Sequence, residues 1–130
     1  MSRELSSRIA DSRRIVITGV GLAAPGAASL AEFRRNLLVG TSGITTLDLR
    51  YMGVHPAGVC AFAETRYRKK RENSRGTRAG CIGVYCANEA LQDAGIDFSG
   101  YDRAATGVYI GLTEHGTVET ENEVFNIGQY

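Results

Sequence analysis

The apolar positions of this chain fall into two kinds of run. Ile15, Val16 and Ile17 are consecutive, β-branched and closed by Thr18 and Gly19, the pattern of a strand buried on both faces. "ATGVYIG", residues 105–111, repeats that pattern and again ends on glycine. Between them the spacing changes to helical. In "SLAEFRRNLLVG", Leu30, Phe33, Leu37 and Leu38 share one face, Ser29 stands at the N-cap with Glu32 three residues on, and Gly40 closes the segment. A second helix is expected from about Ser74 to Ala94, stopping at Gly95. Its middle, "AGCIGVYCANEAL", carries small residues on more than one face, which predicts burial and close approach by other backbones.

The connections read as follows. Residues 41–56 look like loop, punctuated by "TSG" and "HP", and a brief strand is expected at 57–62. Asp97 to Arg103 is a polar connector, and a helix begins at Val118 to Phe125. Strands joined by long helical crossovers predict an α/β layered protein with a mixed, partly parallel sheet. Residues 1–12 form a polar lead-in expected to be disordered, and 13–130 form a single, partial domain.

Composition narrows the class. The 130 residues are 43% hydrophobic and 22% charged with a net charge of +1, which fits one globular domain or part of a larger one. No apolar stretch is long enough to span a bilayer, and "MSRELSSRIADSRR" lacks the apolar centre of a signal peptide, so a cytoplasmic protein is expected. Cys60, Cys81 and Cys86 show no CxxC spacing and are read as reduced thiols. With His55 and His115 they assemble no metal site. No metal and no cofactor is expected.

The glycine-rich corner raises a question of chemistry. Gly19-Val20-Gly21-Leu22-Ala23-Ala24 fits GxGxxA after a strand, a loose form of the dinucleotide fingerprint. That motif works only where a helix starts at the turn and points its N-terminus at the pyrophosphate. Here Pro25 and Gly26 interrupt any such helix, the capping signal waits until Ser29, and Asp48, the candidate ribose acid, lies in a loop. A structural corner is the better reading, with a small dinucleotide-binding domain as the alternative.

Charge is unevenly placed. Seven of the fifteen basic residues lie between Arg66 and Arg78, opposed only by Glu72, whereas Glu114, Glu119, Glu121 and Glu123 occupy an end without Lys or Arg. A net charge of +1 and a single nearby aromatic, Tyr67, argue against a nucleic-acid surface.

Four segments in register resemble the N-terminal part of the β-ketoacyl-[acyl-carrier-protein] synthases, the condensing enzymes of thiolase-like fold. "RRIVITGVGLAAPG" is similar to their opening strand and corner, and "LAEFRRNLLVGTSGI" to the following helix and turn. "ANEALQDAGID" resembles the end of their long buried helix, and "TGVYIGL" their next core strand. The resemblance covers about Arg13 to Gly116 and implies acyl transfer to an active-site cysteine, then decarboxylative condensation with malonyl carrier protein. It places the family's cysteine, histidines and lysine outside this chain, so no catalytic residue is assigned.

The resemblance also implies that basic residues at the start of the long helix meet an acidic acyl carrier protein, acyl- or malonyl-loaded. It assigns that contact to Arg68, Lys69, Lys70, Arg71 and Arg75 as a group. A homodimer or a ketosynthase heterodimer is implied as well. Two positions depart from the family pattern. Gly111-Leu112-Thr113-Glu114-His115-Gly116 stands where a glycine-rich turn is usual, and Gly76-Thr77 stands nearest the usual Met-Asp pair. A divergent synthase, a polyketide-type relative and a non-catalytic chain-length partner are equally compatible. Taken alone, the segment is expected to expose the edges of its strands.

Overall fold

The computed structural model describes residues 14–67, 76–113 and 116–129. Among these the order of elements is α1 (Leu30–Val39), β1 (Ile44–Leu49), β2 (Gly53–Gly58), α2 (Arg78–Asp93) and α3 (Thr117–Ile127). Short 3₁₀ turns at Phe98–Gly100 and Arg103–Ala105 carry the polar connector between α2 and α3.

α1 forms where its caps dictate. Ser29 is extended, and its hydroxyl accepts from the Glu32 N–H at 3.2 Å. Glu32 reaches back one residue beyond the usual capping-box partner and accepts from the Ala28 N–H at 2.9 Å. Gly40, at φ 72°, closes the helix in the left-handed conformation. α2 starts later than its sequence suggested: Thr77 is the N-cap, accepting from the Gly80 N–H at 3.1 Å. It ends at Ala94 and turns at Gly95, φ 65°, as expected. α3 spans the helix expected around 118–125.

The strands are where the structure corrects the sequence reading. Among the described residues the one ladder is the antiparallel hairpin β1–β2, with Ile44 opposite Gly58 and Leu49 opposite Gly53. It occupies the stretch expected to be loop. Met52 N–H donates to the Leu49 carbonyl at 3.0 Å and Gly53 takes φ 74°, which together reverse the chain. Pro56, taken as punctuation, sits within β2 opposite Thr46. A hairpin of two strands is all edge, so a residue without an N–H is tolerated there.

The strand expected at 57–62 survives only as the last two residues of β2. Ile15–Thr18 and residues 106–111 are not paired as strands. They stay open to solvent: Ile15 is 100% exposed and Tyr109 97%. No parallel pairing is therefore present among the described residues, since a buried strand needs neighbouring strands on both edges. The protein nonetheless combines helix and sheet, as the α/β class requires.

The buried centre is small. Among the described residues Ala24, Ala27, Cys81 and Tyr85 are buried: Ala24 and Ala27 bridge each other in the glycine corner, Cys81 lies on α2, and Tyr85 of the same helix packs on Phe62 and Tyr67. Leu30, Leu37 and Leu38 of α1 are exposed, so its apolar face lacks the cover its periodicity predicts.

Candidate functional site

The glycine corner is built against α2. A β-carbon added at Gly19 would sit 2.1 Å from the Ala90 carbonyl oxygen, and one at Gly21 would sit 1.7 Å from that of Cys86. Only the hydrogen side chain allows this approach, and Ala90 and Ala94 are small for the same reason. Val20, between the two glycines, donates its N–H to Asp93 Oδ2 at 2.9 Å. Pro25 and Gly26 then lie on Gly43 of the "TSGI" turn, where a β-carbon would meet the Pro25 carbonyl at 2.3 Å. Asn36 Nδ2 donates to the Gly26 carbonyl at 2.9 Å, tying α1 to the same corner.

This geometry answers the phosphate question. Both glycines are used by a helix backbone, the Glu32 N–H at the start of α1 already faces the Ser29 hydroxyl, and the Glu32 carboxylate holds the Ala28 N–H just before the helix. A carboxylate at that helix start would repel a phosphate. Asp48 sits on β1 opposite Val54, in the hairpin. The dinucleotide alternative loses its structural basis.

The basic segment lies between two attachments to α2. Residues 60–67 run along that helix through an aromatic cluster. The Phe62 and Tyr67 rings stand 5.4 and 5.9 Å from buried Tyr85. At one end, Arg66 pairs with Glu89 at 3.0 Å, and the Tyr67 hydroxyl donates to the same carboxylate oxygen. That hydrogen bond pushes the Tyr67 phenol above its ordinary range, with desolvation acting in the same direction. At the other end, Arg78 pairs with Glu64, donates to the Cys60 carbonyl at 2.7 Å and lies 5.2 Å over the Phe62 ring. The Arg78 N–H also donates to Glu119 of α3 at 2.6 Å.

Two of the seven basic residues are thus engaged internally. Arg68, Lys69, Lys70, Arg71 and Arg75 lie outside the described residues. The carboxylates that hold the flanks, Glu64 and Glu89, went unnoticed in the sequence. A faint signal was present: Tyr85 and Glu89 are four apart on one helix face, below a segment carrying Phe62 and Tyr67.

Cys81 is buried in α2. Burial pushes the Cys86 thiol up, outweighing a backbone hydrogen bond from Ala23, so it stays protonated at neutral pH. The Cys60 carbonyl serves Arg78. His55 donates to the Met52 carbonyl at 2.8 Å within the hairpin turn, and His115 lies outside the described residues. Among the described residues no three His, Cys, Asp or Glu side chains gather as metal ligands, and no helix is long and apolar enough to cross a membrane.

The remaining face of α2 borders an open apolar groove of about 530 Å³. Ala79, Gly83 and Ala87 line one side, with Val108, Ile110 and Leu112 on the other. The corner that follows the first segment read as a strand therefore packs on the C-terminal half of α2, and the second such segment borders this groove.

The description "Beta-ketoacyl synthase, N-terminal domain" belongs to a family model that matches residues 12–128. The chain belongs to the β-ketoacyl synthase family. Its relatives within that family include polyketide synthases and 3-oxoacyl-[acyl-carrier-protein] synthases. It is 35% identical over 116 residues to the granaticin polyketide putative beta-ketoacyl synthase 1 of Streptomyces violaceoruber, covering 86% of this chain and 28% of that protein. To the tetracenomycin polyketide synthase ketoacyl synthase alpha subunit of Streptomyces glaucescens it is 29% identical over 121 residues, with 90% and 28% covered. To 3-oxoacyl-[acyl-carrier-protein] synthase 2 of Staphylococcus aureus (strain N315) it is 31% identical over 107 residues, with 79% and 26% covered. This synthase segment thus spans little more than a quarter of the length of these relatives. No solved structure matches it significantly.

Proposed function

We propose that this chain is the N-terminal portion of a 3-oxoacyl-[acyl-carrier-protein] synthase of fatty-acid or polyketide synthesis. The observation that carries this reading is the family match over residues 12–128. The packing supports it: the segments that resemble the family's opening corner and long helix touch at Gly19, Gly21, Ala90 and Ala94.

In the proposed reaction an acyl group passes from its carrier thioester to an enzyme cysteine, releasing the carrier thiol. Malonyl carrier protein then loses its carboxylate as CO₂. The electron pair left on the α-carbon attacks the acyl thioester carbonyl, and the cysteine thiolate departs. No residue of this chain is given a catalytic role. The state of Cys86 supports that, since a thiol raised by burial is not an attacking thiolate.

Residues 13–130 form the partial domain and 1–12 its lead-in. In the complete thiolase-like fold Ile15–Thr18 and residues 105–111 are strands of one layered, partly parallel sheet. The packing of Gly19 and Gly21 on α2, the groove that Val108 and Ile110 share with that helix, and the exposure of both apolar segments support this. The part assigned to this chain is carrier-protein docking through Arg68, Lys69, Lys70, Arg71 and Arg75, in a dimeric cytoplasmic enzyme. Complementary charge would speed encounter with an acidic carrier and set its orientation.

The test uses the intact protein with Lys69, Lys70 and Arg71 all changed to Glu. Carrier-protein affinity is titrated at several salt concentrations, and CO₂ release from malonyl carrier protein is followed in parallel. The reading expects affinity to fall by at least tenfold at low salt and the difference to shrink as salt rises. Equal affinity of the two proteins at low salt sinks the docking assignment. Absence of CO₂ release from the unaltered protein sinks the condensing activity.

A further inference from the structure

The sequence of α3 supports a helix poorly. Its N-cap, Gly116, brings no side chain to the first N–H groups, and its last turn carries no basic residue. Glu119 and Glu123 stand four apart and repel, while Thr117, Thr120, Val124 and Ile127 are β-branched. Eleven residues are too few for a stable helix in isolation. Burial does not make up the difference, since no described side chain of α3 is buried.

Two contacts fasten it to the rest of the fold. At its start, Glu119 accepts from the Arg78 N–H at 2.6 Å, and a β-carbon at Gly116 would touch the Thr77 methyl at 3.6 Å. α2 has no acidic residue in its own first turn, so Glu119 supplies the negative charge that its N-terminus favours. Arg78 is in turn held by Glu64 and the Cys60 carbonyl. Towards the other end of α3, the Arg50 guanidinium, in the hairpin turn, lies 4.1 Å over the Phe125 ring. An open cleft of about 490 Å³ runs beside this contact, lined by Leu49, Arg50, Tyr51 and Met52 of the hairpin and by Glu121 and Asn122 of α3.

We infer that α3 is a strap held by two clasps, Glu119 on the start of α2 and Phe125 under Arg50, and that it opens locally, ahead of the rest of the fold, when they release. An element with little buried surface opens at a small fraction of the cost of global unfolding. The clasps then set how often it does so. The first outweighs the second, because a hydrogen bond to a carboxylate exceeds an exposed cation–π contact. Opening at the second clasp widens the cleft.

Native-state hydrogen exchange of the intact protein tests this with Glu119→Ala, Glu119→Gln and Arg50→Gln. Glu119→Ala is expected to speed exchange at residues 121–127, and at the Arg78 amide, about tenfold. Alanine is the better helix former, so that acceleration comes from the lost clasp. Exchange at residues 85–93 of α2 should stay as it was. Glu119→Gln keeps an acceptor without the charge and should fall between. Arg50→Gln is expected to speed the α3 amides about threefold. It leaves the start of α2 untouched, so it carries the test should Glu119→Ala fail to fold. Unchanged α3 exchange in the folded variants overturns the inference. Acceleration by Glu119→Ala or by Arg50→Gln alone overturns the two-clasp strap, leaving a helix pinned at one end. The inference also fails if, in the unaltered protein, α3 amides exchange only as slowly as the slowest amides of α2, because the helix then opens only with the whole fold.

Discussion

Gly21 lies so close to the Cys86 carbonyl that a β-carbon at position 21 would stand 1.7 Å from its oxygen. The neighbouring backbone is held as well, by the Val20 N–H on Asp93. The corner therefore cannot relax away from α2 without losing that hydrogen bond.

Gly21→Ala is accordingly expected to destabilise the intact protein by about 3 kcal/mol or more, because the clash is with helix backbone rather than with a flexible side chain. Gly83→Ala is the control. Gly83 is inside the same helix with nothing within 4 Å of its β-carbon position, so alanine should be neutral or gain up to about 1 kcal/mol. Denaturant midpoints of the two variants give the comparison. A harmless Gly21→Ala contradicts the packing of the corner.

The start of α1 depends on one hydroxyl. Ser29→Ala removes the acceptor for the Glu32 N–H and is expected to cost about 1 kcal/mol. Ser29→Asp should retain the cap. Hydrogen exchange at residues 30–33 reports the difference locally, with faster exchange in the alanine variant alone.

The Tyr67 phenol should ionise above its ordinary range. Its hydrogen bond to Glu89 favours the neutral phenol, so the folded protein holds that proton more tightly than the unfolded chain. The sign follows: the stabilisation is complete below the ordinary value of 10.0 and is lost as pH rises through the folded value. A phenolate absorbance titration should show a late-ionising component that disappears in Tyr67→Phe and moves earlier in Glu89→Ala.

Asp97 carries the opposite sign. The Ser99 hydroxyl, at 2.7 Å, and the Ser99 N–H, at 3.0 Å, both donate to its carboxylate and lower its pKa below 3.8. Its contribution to the turn is present above the unfolded value and lost as pH falls through the lower folded one. A carboxyl-carbon NMR titration should place its midpoint below 3.8, and Ser99→Ala should move it back up.

Sequence alone determined what depends on neighbours along the chain. Ser29, Glu32 and Gly40 set α1, and the run before Gly95 set the end of α2, because caps and turns are satisfied within a few residues. The register of the four family segments determined the family, which matches residues 12–128. Only tertiary structure decided the rest. Ile15–Ile17 and Val108–Ile110 have strand composition, yet a strand requires hydrogen-bonding neighbours that no local pattern supplies. Pro56 and His55 concealed a hairpin, since Pro is acceptable in a strand only when that strand is an edge. Pro25, Gly26 and the late cap at Ser29 already favoured a structural corner over a phosphate loop, but only folding shows that the backbone of Cys86 and Ala90 occupies the space beside its glycines. Glu64 and Glu89 became visible for the same reason: they are 14 and 22 residues from the partners they hold, Arg78 and Tyr67, and only folding brings such groups together.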